Sequence, residues 1–116
     1  MPRRKYIGEP CSYVATACAY EDLCKKDYAE KLPEHLRYDG WSTLDNMNKY
    51  MRQVLPVKKK VYYKRSERKT LAEFLIDNDA KCIVCVLGHF IYVNRCDYWS
   101  FFENENDLVV CVWYLR

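Results

Sequence analysis

The sequence predicts a single α+β domain in which N-terminal helices pack on a C-terminal antiparallel sheet of four to five strands. Most segments with helix-start signals lie in the first two thirds of the chain. Runs of β-branched and aromatic residues lie in the last third, and polar segments separate them. A chain of 116 residues is long enough for one hydrophobic core and too short for two. We therefore expect residues 1–116 to form one domain, with residues 1–9 as a short basic extension.

Three helices are predicted. Proline is favoured in the first turn of a helix, so Pro10 indicates a helix from Cys11 to about residue 26, mostly buried. Capping-box patterns at residues 42–45 and 70–73 predict two more helices, ending near residues 54 and 77.

The strands are predicted mainly after the third helix. Residues 57–63 form one strand, and the continuous β-branched run at 82–87 is typical of a central strand. Three further strands are expected at residues 89–93, 98–102 and 108–115. Polar breaks between these last three favour an antiparallel meander, in which each strand pairs with the next.

The composition and the N-terminus indicate a soluble, cytoplasmic protein. Half of the residues are apolar (50%) and 16% are aromatic, which excludes a disordered chain. No apolar stretch follows the first charged residues, as a signal peptide would require, and no run is long enough to span a membrane. The seven cysteines are an odd number, so we expect reduced thiols rather than a disulfide framework.

Cys11 is the best placed of the cysteines for nucleophilic chemistry because it opens a helix. The N–H groups and the dipole of a helix N-terminus favour a thiolate, and the same N–H groups can bind an oxyanion. His89 follows Gly88 at the start of a strand, where an imidazole can project into a cleft as the base. The simpler alternatives are a cysteine that packs at a helix end and a hydrogen-bonded structural histidine.

The group that orients the imidazole depends on how the strand of His89 pairs with the next strand. If residue 93 pairs with residue 98, His89 lies opposite residue 102 and close to Glu103. If residue 94 pairs with residue 99, His89 lies opposite Asn104 and on the same face. We favour the second register, with Asn104 as the orienting group and Glu103 as the alternative.

The order of these features resembles that of the papain-like cysteine peptidases. A cysteine opens the first helix, further helices follow, and Gly88-His89 opens a strand of a terminal sheet. The compact layout is most similar to the double-glycine leader peptidases of bacteriocin exporters, and the small size and aromatic richness resemble phage or mobile-element proteins. The resemblance implies a papain-like fold, a peptide or protein substrate, Cys11 as nucleophile, His89 as base and Asn104 as the group that orients it.

Two functions are therefore predicted from the sequence. The first is a cysteine peptidase or amidase that uses a Cys-His-Asn arrangement. The family also has a glutamine shortly before the cysteine, and residues 5–9 contain none. The alternative is thus a catalytically inactive module of the same fold, an inhibitor or adaptor, that binds a protein or a nucleic acid.

A basic, tyrosine-rich segment is the candidate binding surface. From Lys58 to Lys69 there are seven Lys or Arg and one acid, a local charge of +6 in a chain of net charge +3. Cations beside aromatic rings suit single-stranded nucleic acid or an acidic protein, whereas lysines that protect an edge strand are the simplest explanation. The candidate residues are Lys58, Lys59, Lys60, Tyr62, Tyr63, Lys64 and Arg65.

A zinc site is the main alternative to a catalytic role for the cysteines of this chain. Cys82 and Cys85 have the CxxC spacing, but residues i and i+3 of a strand point to opposite faces of the sheet. No second CxxC or histidine pair accompanies them. We therefore expect no metal, no cofactor and no membrane partner.

Overall fold

The computed structural model describes residues 11–24, 52, 55–86, 89–99 and 105–116. Within these ranges the chain is α+β, with two α-helices and a five-stranded sheet in which every strand pair is antiparallel. This confirms the predicted α+β class and the antiparallel sheet of four to five strands. The elements are α1 (Cys11–Cys24), β1 (Val57–Tyr62), a 3-10 turn (Arg65–Glu67), α2 (Leu71–Asp77), β2 (Lys81–Val86), β3 (His89–Asn94), β4 (Asp97–Trp99) and β5 (Val109–Leu115).

Helix α1 is buried along most of its length. Three alanines, which have the highest helix propensity, alternate with other small or apolar residues between Val14 and Tyr20. Every side chain from Val14 to Glu21 is buried, while Cys24 at the end is exposed. The predicted buried helix is therefore confirmed over the residues that the structure describes.

Helix α2 begins with the predicted capping box. The Glu73 N–H donates to Thr70 Oγ1 at 3.2 Å, and the Thr70 N–H donates to Glu73 Oε1 at 3.2 Å. The next two backbone N–H groups, of Leu71 and Ala72, donate to carbonyl oxygens of residues 107 and 105, at 2.9 and 3.0 Å. The start of α2 is thus held by the segment that leads into β5.

The strand order of the sheet is β1-β5-β2-β3-β4. Strand β2 is central, as predicted. The predicted meander is wrong for β5, which lies between β1 and β2 instead of beside β4. The physical reason is that β5 is apolar on both faces. Its side chains are buried only where a strand lies on each side of β5 and both faces of the sheet are covered.

The two faces of the sheet carry two separate cores. The α1-side core joins the apolar residues of α1 to one face, and the α2-side core joins α2 to the other. The sheet residues of the α1-side core are Ile83, Cys85, Phe90, Tyr92, Val110, Cys111, Trp113 and Leu115. The α2-side core contains Leu71, Phe74, Cys82, Val84, Val86, Ile91, Val93, Val109 and Val112.

Some predictions fall outside the described residues. These are the extension at 1–9, most of the helix expected at 42–54, and the end of the strand expected at 98–102. Arg52 is described and is helical. Among the helices in the described ranges, none has the length and apolar character needed to cross a bilayer.

Candidate functional site

Cys11 is the first residue of α1, as predicted. The side chains of Cys11 and the two residues that follow it lie outside the described part of the structure. The backbone nevertheless gives Cys11 the helix N-terminal position, where free N–H groups and the helix dipole favour an anion.

His89 is the first residue of β3, also as predicted, and its backbone pairs with Val86 of β2. The side chain is half-buried. Burial lowers the pKa of His89 below its ordinary value of 6.5, and the nearby carboxylate of Asp107 opposes this shift. The imidazole is therefore mostly neutral at pH 7, which is the form that can accept a proton.

Asp107 is a neighbour of His89 that sequence reasoning missed. Val86 pairs with His89 on one side and with Val109 on the other, so the starts of β3 and β5 flank the same end of β2. Asp107 lies two residues before β5, and its carbonyl accepts the N–H of Leu71. Only the strand that follows β3 was considered as the source of the orienting group, whereas Asp107 lies just before β5, across β2 from His89.

The β3–β4 register differs from the one favoured from the sequence. Asn94 pairs with Asp97, and residue 93 pairs with residue 98, so the favoured pairing of residue 94 with residue 99 is wrong. The cause is a tight two-residue turn in which Arg95 has a left-handed φ of 61°. Asn104 and Glu103, the two candidates for orienting His89, lie outside the described residues.

Asp22 fastens the last turn of α1 to the sheet. Its Oδ2 accepts hydrogen bonds from the Tyr92 hydroxyl at 2.5 Å and from Asn94 Nδ2 at 3.2 Å. Lys81 Nζ forms an ion pair with the same oxygen at 3.4 Å. Both hydrogen-bond donors lie in the second half of β3, against which α1 packs most extensively. The C-terminal end of the helix is thus fixed at the C-terminal end of β3.

The predicted basic segment is on β1, an edge strand of the sheet. Lys58, Lys59 and Lys60 are all exposed. Lys59 Nζ lies 5.1 Å from the ring centre of Tyr114, and Lys60 Nζ lies 5.6 Å from that of Trp113. The lysine stems therefore cover apolar rings of β5 while their charges remain in solvent.

The two tyrosines of this segment have different roles. Tyr62 is 57% exposed, whereas Tyr63 is half-buried and packs against the α2-side core. Lys64 and Arg65 continue the exposed basic surface. Only Tyr62 of the pair therefore presents a ring for a ligand to stack on.

The CxxC pair is separated as the strand argument predicts. Cys82 belongs to the α2-side core and Cys85 to the α1-side core, on opposite faces of β2. Burial raises the pKa of Cys82 to about 12, against the opposing hydrogen bond from Asn78, so this thiol is not a ready metal ligand. Among the side chains that the structure describes, His, Cys, Asp and Glu form no group of three or more suited to a metal ion.

Comparisons of the chain with protein-family models, with curated proteins and with solved structures find no match. The site must therefore be understood from its own chemistry. Two regions stand out in the described residues: the end of the sheet that contains His89 and Asp107, and the exposed basic edge at β1.

Proposed function

We propose that the chain is a cysteine hydrolase of papain-like arrangement, acting on a peptide or another amide. Cys11 would be the nucleophile and His89 the base. The observation that supports the proposal is the course of α1 along β3, anchored through Asp22, because it brings the helix N-terminus and the first residue of the strand to the same end of the sheet.

The lengths of the two elements support this pairing. Helices rise about 1.5 Å and strands about 3.4 Å per residue. The helix from Cys11 to Asp22 and the strand from His89 to Asn94 therefore each cover about 16–17 Å. Since Asp22 bonds to Asn94 at one end, elements of equal length that run together bring the backbones of Cys11 and His89 to the other end. His89 pairs with Val86 of the α2-side core, so its side chain starts on the face of the sheet opposite α1. The proposed reaction therefore requires the imidazole to reach the helix around the end of the sheet.

The electrostatics of His89 suit a base in this reaction. A neutral imidazole can take the thiol proton, and the nearby Asp107 carboxylate stabilises the imidazolium that forms. Asp107 would thus take the role that the sequence analysis assigned to an orienting side chain after β4. Backbone N–H groups at the start of α1 would stabilise the oxyanion.

The chemical steps balance with these groups and water alone. His89 accepts the Cys11 proton, and the thiolate forms a bond to the carbonyl carbon, whose π electrons move to oxygen. When the tetrahedral intermediate collapses, the C–N bond breaks and the leaving nitrogen takes the proton from His89. Water, deprotonated by His89, then attacks the thioester and releases Cys11 and the acid product.

Thiol alkylation tests this proposal without a known substrate. Iodoacetamide labelling at pH 6, mapped by mass spectrometry, compares Cys11 with the exposed thiols of Cys24 and Cys96. We expect Cys11 to react roughly ten-fold faster or more, and the His89→Ala variant to lose this advantage. A Cys11 rate equal to that of the two exposed thiols, or one unaffected by His89→Ala, would contradict the proposal.

A further inference from the structure

The basic segment presents an unusual density of unpaired positive charge. Six of its seven cations are exposed, and Arg68 is half-buried. None of the seven lies within ion-pair distance of a carboxylate among the described residues. The cations that no carboxylate lies near are therefore available to an anionic ligand.

One face of the β1 edge combines these charges with an exposed ring. Lys60 and Tyr62 pair with Trp113 and Cys111, which belong to the α1-side core, so both side chains lie on that face. The N–H of Tyr63 still donates to a carbonyl of β5, so the extended backbone continues beyond β1. Alternation along this backbone places Lys64 on the same face as Lys60 and Tyr62. A cation, a phenol ring and a second cation thus follow one another at intervals of about 7 Å.

Arg68 adds a further cation beside Tyr62 and orients the Tyr62 ring. Its Nη2 donates to the Tyr62 hydroxyl at 3.0 Å, and its Nε donates to the Tyr63 carbonyl at 3.1 Å. The guanidinium carbon lies 5.7 Å from the Tyr62 ring centre. The ring is therefore oriented by a cation and still more than half exposed, with an exposed fraction of 57%.

The opposite face of the same edge is less suited to an anion. Lys58 and Lys59 line a cleft there with Asp79, and an adjoining cleft contains Lys69 with Asp77 and Asp79. The carboxylates offset the nearby cations on this side. The favourable surface is therefore the α1-side face of β1.

We propose that Lys60, Tyr62, Lys64 and Arg68 form a binding surface for single-stranded nucleic acid. The cations contact phosphates, and a base stacks on the exposed ring of Tyr62. An acidic protein segment would use the cations but would gain little from the ring, and a duplex would hide its bases from it. This proposal is independent of the hydrolase function.

Fluorescence anisotropy with the full chain tests this surface. The probe is a labelled oligothymidylate of about 12 nucleotides, compared with a duplex of the same length and with polyglutamate. We expect the oligothymidylate to bind most tightly, with an affinity that falls as salt increases. Tyr62→Leu should weaken this binding by roughly ten-fold, and Lys64→Glu should weaken it by a similar factor and reduce the salt dependence.

Arg95→Glu provides the matched control for charge, because Arg95 is exposed in the β3–β4 turn at the other edge of the sheet. It should change the affinity less than about two-fold. The positions of these substitutions are exposed, and circular dichroism verifies that each variant is folded. Absence of binding at low salt, equal binding of polyglutamate, or binding unchanged by Tyr62→Leu would each overturn the proposal.

Discussion

The hydroxyl of Tyr92 on β3 donates a 2.5 Å hydrogen bond to Asp22 Oδ2 in the last turn of α1. Burial, and then this bond to Asp22, raise the pKa of Tyr92 well above its ordinary value, so the phenol remains the donor across the physiological range. The contact fixes the helix relative to the strand, and the proposed meeting of Cys11 and His89 depends on it.

Removing this hydroxyl should weaken the attachment of α1. We expect Tyr92→Phe to lower the free energy of unfolding by about 1.5–3 kcal/mol, because the hydrogen bond to a carboxylate is lost inside a packed interface. Urea denaturation followed by circular dichroism measures the change. Tyr98→Phe is the matched control, since the Tyr98 hydroxyl donates at the same 2.5 Å distance to Glu105 near the surface. Equal losses in the two variants would contradict a special role for Asp22 in holding α1.

The capping box of α2 offers a test of local stabilisation. Thr70→Ala removes the side-chain acceptor of the Glu73 N–H, and we expect a loss of about 1 kcal/mol in the free energy of unfolding. Ser66→Ala, in the exposed 3-10 turn, is the matched hydroxyl control and should change stability by less than about 0.5 kcal/mol. Denaturant titrations that show no difference between the two variants would contradict the contribution of this cap.

Thiol accessibility should follow the two cores. In the native protein we expect Cys24 and Cys96 to react with iodoacetamide, because both are exposed. The described buried cysteines should react only after unfolding; these are Cys18, Cys82, Cys85 and Cys111. Cys82 is the most stringent case, since burial raises its pKa to about 12 and leaves almost no thiolate. Native labelling of Cys82 at the rate of Cys96 would contradict the packing of β2 described here.

His89 should make the fold sensitive to mild acid. Its pKa is lowered in the folded state, so the unfolded chain binds the proton more readily, and stability falls as the pH drops from above 6.5 toward the folded pKa. His89→Gln should reduce this loss of folding free energy between pH 7.5 and 5.5. His35→Gln is the control, because it removes the other histidine of the chain. An NMR titration gives the pKa directly, and a value at or above the ordinary 6.5 would contradict the burial of this imidazole.

Local signals in the sequence predicted the elements well, because their causes lie within a few residues. The Thr70 capping box and the apolar run of β2 are examples, and both are confirmed by the structure. The register of β4 was predicted wrongly because the local pattern does not distinguish the two-residue turn at Arg95 from a longer one. Asn78, at the end of α2, donates to the carbonyl of Arg95 at 2.5 Å, so a residue distant in sequence also contacts this turn.

The position of β5 was likewise beyond local reasoning. Polar breaks indicate where strands end but not which strands become neighbours, and here β5 passes two strands to enter the sheet between β1 and β2. Asp107 was not associated with His89 because only the strand that follows β3 was considered as the source of the orienting group. Cys11 and His89 could be proposed because a helix start and a strand start have recognisable local patterns, and the two elements do begin at these residues.

The proximity of Cys11 and His89 is tested most directly by cross-linking with 1,3-dibromoacetone, a short reagent that alkylates a thiol and then a nearby imidazole. After digestion, mass spectrometry identifies the residues joined by its three-carbon bridge. We expect a link between Cys11 and His89 in the native protein and its loss on unfolding or in Cys11→Ser. A link from Cys11 to His35 alone, or an adduct on Cys11 with no cross-link to His89, would contradict the proposed site.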